Sequence, residues 1–168
     1  MKLFRSDLIQ GLDHRLFEIP VEEIESDEIA FTGTTIPLFI HSTKQPDGYQ
    51  LHLEGTIPYL LVCDRCLEEY TWNHPLTFDL RLTSNQTLMQ SQEEDLLFFP
   101  ETMLEVDLTP AVRDYLLLEV PMKKLCRESC KGICPGCGIN LNQNSCRCEA
   151  STQPSPWDVL QQLTNGDH

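Results

Sequence analysis

Six of the eight cysteines in this 168-residue chain fall in one stretch, CRESCKGICPGCGINLNQNSCRC, residues 126–148, and the other two form Cys63-Asp64-Arg65-Cys66 far upstream. Thiols grouped in this way restrict the fold more than any hydrophobic pattern, because four of them on one ion fix four backbone positions at once. The start, MKLFRSDLIQGLDHR, lacks the apolar run of a signal peptide, and no later stretch is long enough to cross a bilayer. The expectation is a cytoplasmic protein, or an organellar one whose targeting segment is already excluded. In a reducing compartment, paired cysteines serve metals or redox chemistry more often than disulfides.

Zinc suits the spacing. A turn carrying Cys-x-x-Cys aims two thiolates at one ion while its backbone N–H groups bond to the sulfurs. CPGCG, residues 134–138, is the most specific element: Pro135 and Gly136 favour the turn, and Gly138 can adopt a backbone conformation costly for other residues. The simplest partition joins Cys63, Cys66, Cys126 and Cys130 in one four-thiolate site and Cys134, Cys137, Cys146 and Cys148 in a second. Interleaved pairing, or a single zinc with several free thiols, stays open, so the count is one or two ions. Cys146-Arg147-Cys148 is the weak point, since residues two apart on a strand lie roughly 6–7 Å apart and need a turn to share an ion.

Two competing chemistries fit less well. A redox Cys-x-x-Cys is expected at the start of a helix beside a strand, and neither pair obviously opens one. His52-Leu53-Glu54 ahead of paired cysteines superficially matches the zinc deaminase pattern, but Pro135 follows its cysteine instead of preceding it. His14, His41, His74 and His168 lack ligand-like spacing and read as surface residues.

Charge divides the chain. The formal net charge is −14, yet residues 121–148 hold Lys123, Lys124, Arg127, Lys131 and Arg147 against the single acid Glu128, a local +4 that leaves −18 elsewhere. So acidic a remainder repels polyanions and lipid surfaces at long range. The basic stretch either offsets its own thiolates or forms a recognition patch.

Along the chain, the acidic run EEIESDE reads as a solvated loop, and FTGTTIPLFI, residues 31–40, as a strand that Pro37 demotes toward a sheet edge. QPDG supplies a turn. Alternation then marks a strand from Tyr49 to Val62 and another through Leu76, Phe78, Leu80 and Leu82, with Cys63 and Cys66 near the top of the hairpin between them. Residues 84–100 read as a long loop. DLTPAVRDYLLLEVP predicts a helix over about residues 107–119, with Asp107 or Thr109 at its start and Pro110 in its first turn. A short apolar helix is expected around Trp157. The fold class is therefore α+β: an antiparallel sheet or partly closed barrel, one main helix, and a small C-terminal zinc-knuckle module. The expected division is a β-rich domain over 1–120, the Cys-rich module over 121–150, and a tail over 151–168.

Cys63-Asp-Arg-Cys66-Leu67, the DLTPAVRDYLLLEVPMKKLC helix and exit, and CKGICPGCGINLN with a closing Cys-x-Cys occur in an order that resembles the YceD family, the large ribosomal RNA subunit accumulation proteins. The resemblance covers roughly residues 50–160 and includes PWDVLQQL. It implies a part in making or stabilising the large-subunit (23S) ribosomal RNA of bacteria and plastids, with no catalytic residues established for the family. Some members lack most of these cysteines, so metal implies bracing of a module; the full cysteine set resembles the cyanobacterial and plastid-like branch. The expected role is a non-enzymatic ribosome-biogenesis factor whose partners are the large-subunit precursor and ribosomal proteins or assembly factors, with no membrane and no small-molecule substrate. Arg65, Lys123, Lys124, Arg127 and Lys131 are the candidates for touching RNA or a partner. The alternatives are a zinc-dependent RNA-processing enzyme and a thiol redox sensor.

Overall fold

The alternation beginning at Tyr49 produces a long strand in the computed structural model, which describes residues 1–87 and 95–148. This strand, β4 (Gly48–Val62), pairs along its whole length with β5 (Glu69–Thr83), from Gly48↔Thr83 to Val62↔Glu69. Leu51 faces Leu80 and Leu53 faces Phe78 on the side that is buried, while His52 and Asp79 face each other on the exposed side. A period of two in both strands allows this register and no one-residue slip, which would turn every leucine to water.

β3 (Thr35–Gln45) flanks β4, and β2 (Arg15–Pro20) flanks β3, both antiparallel. The short β6 (Leu96–Phe98) lies on the other side of β5, giving an open five-stranded sheet in the order β2-β3-β4-β5-β6. Before β2 the chain forms β1 (Lys2–Phe4) and α1 (Arg5–Gln10), and β1 pairs with β7 (Glu105–Asp107) as a separate ribbon. α2 (Thr109–Leu118) then sets Val112 and Leu116 into a core with Ile36, Leu38, Ile40, Leu51, Leu53 and Leu80.

α2 starts close to where its sequence indicated, with Pro110 in the first turn, but its N-cap is Leu108, which makes no side-chain cap bond; Asp107, one residue earlier, accepts the Thr109 N–H on Oδ1 at 2.9 Å. At its far end the last carbonyls of a helix have no donor within the helix. The fully buried Tyr59 of β4 meets one of them, its hydroxyl donating to the Leu116 carbonyl at 2.8 Å. Burial, then the nearby Glu119 carboxylate, holds that phenol firmly protonated. Trp72 and His74 of β5 stack beside it with ring centroids 4.4 Å apart, and His74 Nε2 lies 2.8 Å from Glu119.

The α+β class is as expected, with three local differences. The sheet is not purely antiparallel, because Leu96–Phe98, read as loop, adds in parallel at Arg81↔Leu96. Three residues of LLFF are too few to show a period. β3 is an interior strand, yet Pro37 costs no ladder bond on the β4 side, since the β3–β4 ladder ends at Phe39↔Glu54 and leaves Pro37 paired to Glu18 alone. The N-terminal region holds two strands and a helix that are too short for pattern reading; in the acidic run only Ile24 is buried. The expected tail helix lies outside the described residues.

At the β3–β4 turn, Asp47 takes Arg81 Nη2 on both carboxylate oxygens, at 3.1 and 2.9 Å, and the hydroxyl of the buried Thr83 at 3.1 Å. The Arg81 hydrogen bonds hold the Asp47 carboxyl below its ordinary value of 3.8. A lowered folded value means that the stabilisation is complete above the ordinary value and vanishes as pH falls through the folded one. Asp47→Asn should therefore be less stable than the parent in urea melts at pH 7, with the gap narrowing as pH falls below the ordinary carboxyl value of 3.8. A gap that stays equal across this range would exclude the charge dependence.

Candidate metal centres

Both Cys-x-x-Cys segments fold into the same six-residue loop. The Leu67 N–H donates to the Cys63 carbonyl and the Gly138 N–H to the Cys134 carbonyl, each at 2.9 Å. One residue further on, the Cys63 N–H bonds the Glu68 carbonyl at 2.9 Å and the Cys134 N–H bonds the Ile139 carbonyl at 2.8 Å. The fifth residue is left-handed in each, with φ +60° at Leu67 and +73° at Gly138. Gly138 is thus the conformational glycine its sequence position suggested, and Leu67 adopts the same geometry without that freedom.

The first loop is the β4–β5 hairpin turn. Its backbone is tied to the later cysteines by the Asp64 N–H to the Lys124 carbonyl (2.8 Å), the Lys124 N–H to Asp64 Oδ2 (2.6 Å) and the Ile133 N–H to the Arg65 carbonyl (3.0 Å). Gly132, at φ +75°, allows the last contact, since a Cβ there would sit 3.0 Å from the Arg65 carbonyl oxygen. Arg65 Nη1 donates to the carbonyls of Cys130 (2.9 Å) and Glu128 (3.3 Å), and Glu68 Oε1 accepts the side-chain amides of Asn140 (2.9 Å) and Gln143 (2.6 Å).

These ties bring together the sulfurs of Cys63, Cys66, Cys126 and Cys130, all within 4.8 Å of one another; Cys134, Cys137, Cys146 and Cys148 form a second such group. Zinc–sulfur bonds of about 2.3 Å in a tetrahedron give sulfur–sulfur edges of about 3.8 Å. The Cys63–Cys130, Cys66–Cys126 and Cys137–Cys146 separations are each 3.8 Å, and Cys134–Cys146 is shorter at 3.2 Å. None of the eight is in a disulfide, which would need sulfurs about 2 Å apart. Both donor sets therefore fit a soft divalent cation such as zinc.

Each group also carries the proton imbalance of crowded thiols. Backbone hydrogen bonding, from Cys126 first, draws Cys63 down to about 6 against its burial, while burial and the neighbouring thiols push Cys126 up to about 12. In the second group, backbone hydrogen bonding from Cys137 leads in taking Cys134 down to about 6, and the Cys146 and Cys137 thiols lead in lifting Cys148 to about 12. At Cys130 burial works upward and is outweighed only jointly, by the Asn142 amide, which donates to its sulfur at 3.3 Å, the Gly132 backbone and the Cys66 and Cys126 thiols. A divalent cation removes the repulsion that keeps the last thiols protonated.

Cys146-Arg147-Cys148 gains its turn from the Cys148 N–H, which bonds Cys146 Sγ at 3.2 Å. His52 and Glu54 join neither group: His52 Nδ1 lies 2.8 Å from Asp79 and Glu54 3.1 Å from His14, on the exposed sheet face. Of the candidate contact residues, Lys123, Arg127 and Lys131 are exposed and Lys124 half-buried. Arg65 is exposed too, but its guanidinium is committed to the two carbonyls, a bracing part the sequence does not reveal. Asn140, Asn142, Gln143 and Glu68 were likewise missed; the density of amides between the cysteines was the available signal.

The family model of the large ribosomal RNA subunit accumulation protein YceD matches residues 50–164. A chloroplastic large ribosomal RNA subunit accumulation protein, YCED homolog 1 of Arabidopsis thaliana, is 42% identical over 70 residues, 42% of this chain and 22% of that protein. The chloroplastic YCED homolog 1 of Zea mays is 40% identical over 57 residues, 33% of this chain and 20% of that protein. The matched stretch thus spans about a fifth of each of these relatives. No solved structure matches the chain.

A branched side chain held left-handed costs roughly 1–2 kcal/mol, part of which a glycine returns through its own greater chain entropy. Since Leu67 is 63% exposed and loses little packing, Leu67→Gly is expected to stabilise the protein by up to about 1 kcal/mol in denaturant titration. A destabilised variant would show that Leu67 is held by contacts and not by the loop.

Proposed function

We infer that this chain, which belongs to the YceD family of large ribosomal RNA subunit accumulation proteins, acts without catalysis in the accumulation of large-subunit ribosomal RNA, presenting a zinc-braced basic lobe to the precursor particle. The observation that carries this reading is the placement of charge. The only basic stretch of an acidic chain, net +4 over residues 121–148, is the stretch held by the two thiolate groups. Lys123, Arg127, Lys131 and Arg147 project from it into solvent, where they can meet phosphates without opposing the −18 of the remainder. The acidic sheet is suited to basic ribosomal proteins or assembly factors on the same particle.

Four thiolates to each ion favour a bracing role over a catalytic one, because a closed tetrahedron leaves no position for an activated water. No helix among the described residues is long and apolar enough to cross a membrane. Reduced thiols require a reducing compartment, and we place the protein in one.

Replacing Lys123, Lys124, Arg127 and Lys131 together by alanine, with Arg65 left intact as a brace, should weaken co-sedimentation with large-subunit precursors and flatten its salt dependence. Unchanged association at several salt concentrations would refute the contact assignment. In cobalt-substituted protein both ions should show four-thiolate spectra; an ion with an exchangeable water would favour a processing enzyme instead.

A further inference from the structure

The two thiolate groups differ in their access to solvent. In the first, Cys63, Cys66 and Cys130 are 0%, 6% and 4% exposed, with Tyr70 and Leu125 packed against them. In the second only Cys134 is buried, Cys146 is half-buried, and Cys137 and Cys148 are exposed. The first group joins the β4–β5 turn to a segment 60 residues further on, as its Cys66–Cys126 contact shows. The second is local to residues 134–148. An oxidant in solution meets the second group first, and what it meets is a pair of adjacent sulfurs.

We propose that Cys137 and Cys148 are a site of oxidative modification, at which a peroxide-class oxidant joins the two sulfurs and releases the metal of the second centre while the first keeps its own. The step balances: the two thiolates lose two electrons as the S–S bond forms, and hydrogen peroxide takes them with two protons from solvent to give two waters. The ion then has two thiolates in place of four and departs. The geometry asks for little movement, because the sulfurs of this group already lie within 4.8 Å and a disulfide needs about 2 Å. Gly136 leaves room for the approach, since a Cβ there would stand 3.2 Å from Cys148 Sγ. The consequence is graded: the basic lobe loses its outer brace but stays fastened to the sheet.

The inference rests on both groups being metal centres, and one experiment on the full chain separates the two ideas. Protein prepared with zinc under reducing conditions is titrated with hydrogen peroxide and followed by native mass spectrometry and by mapping of disulfide-linked peptides. The expected course is a fall from two ions to one, with a Cys137–Cys148 linkage and unmodified Cys63, Cys66, Cys126 and Cys130. A thiol reductant plus zinc should restore the second ion. Cys137→Ser/Cys148→Ser protein should hold one ion and release none at the same dose. Loss of both ions together, or oxidation of the first group before the second, would overturn the proposal alone. Protein that takes up no metal at all would overturn the metal reading and this proposal with it.

Discussion

Four sulfurs from two distant parts of the chain meet at the end of the β4–β5 hairpin, and the arrangement of residues 121–148 depends on that meeting. Cys63, Cys66 and Cys130 form a small buried cluster of their own, joined to the leucine and isoleucine core under the sheet through the partly buried Tyr70, which packs against both. Residues 121–148 form neither helix nor extended strand. Such a segment has little apolar area to offset its conformational entropy, so its order rests on polar ties, to which a cation on the two thiol groups would add. The paired Asp64–Lys124 hydrogen bonds, the Arg65 clamp and the amides on Glu68 position the thiols, and the affinity of a cation bound there would add to folding.

The same dependence explains what could be read in advance. Period-two alternation exposed β4 and β5, because both strands are half buried along most of their length. Pro110 and the apolar face of Val112 and Leu116 exposed α2, although its N-cap is Leu108 and not Asp107 or Thr109. The thiol partition was also legible, since Cys-x-x-Cys spacing is set by the loop itself and Cys-x-x-Cys can bring only two sulfurs to an ion. The relation between the two loops was hidden by Leu67, which occupies the position where Gly138 advertises its backbone. Arg65 was misleading in a different way: a cation beside cysteines suggests a ligand for phosphate, but the hairpin turn directs it to carbonyls of its own chain. β6 and the N-terminal elements owe their place to neighbours distant in sequence, which no local window records.

Charge and chemistry are separated in this molecule by architecture. The exposed sheet face carries histidines and carboxylates in pairs, such as His52 with Asp79 and His14 with Glu54, and these are the ordinary partners of a half-solvated sheet. Five of the chain's 12 Lys and Arg are instead carried by residues 121–148, a segment whose backbone is held by hydrogen bonds around the cysteines. That segment is fastened to the β4–β5 turn by hydrogen bonds to Asp64, Arg65 and Glu68, so its placement follows from the hairpin.

The β4–β5 ladder is pinned at both ends, by Asp47 and Arg81 at one and by Cys63 and Cys66 at the other. A ladder fixed at one end can absorb an inserted residue by sliding its free end, but one fixed at both cannot. The 15 residues of β4 must therefore match the 15 of β5, and a length change in either strand demands an equal change in the other or a bulge between the clasps. The hairpin acts as a ruler, and the spacing between its two polar ends is a heritable dimension of the fold.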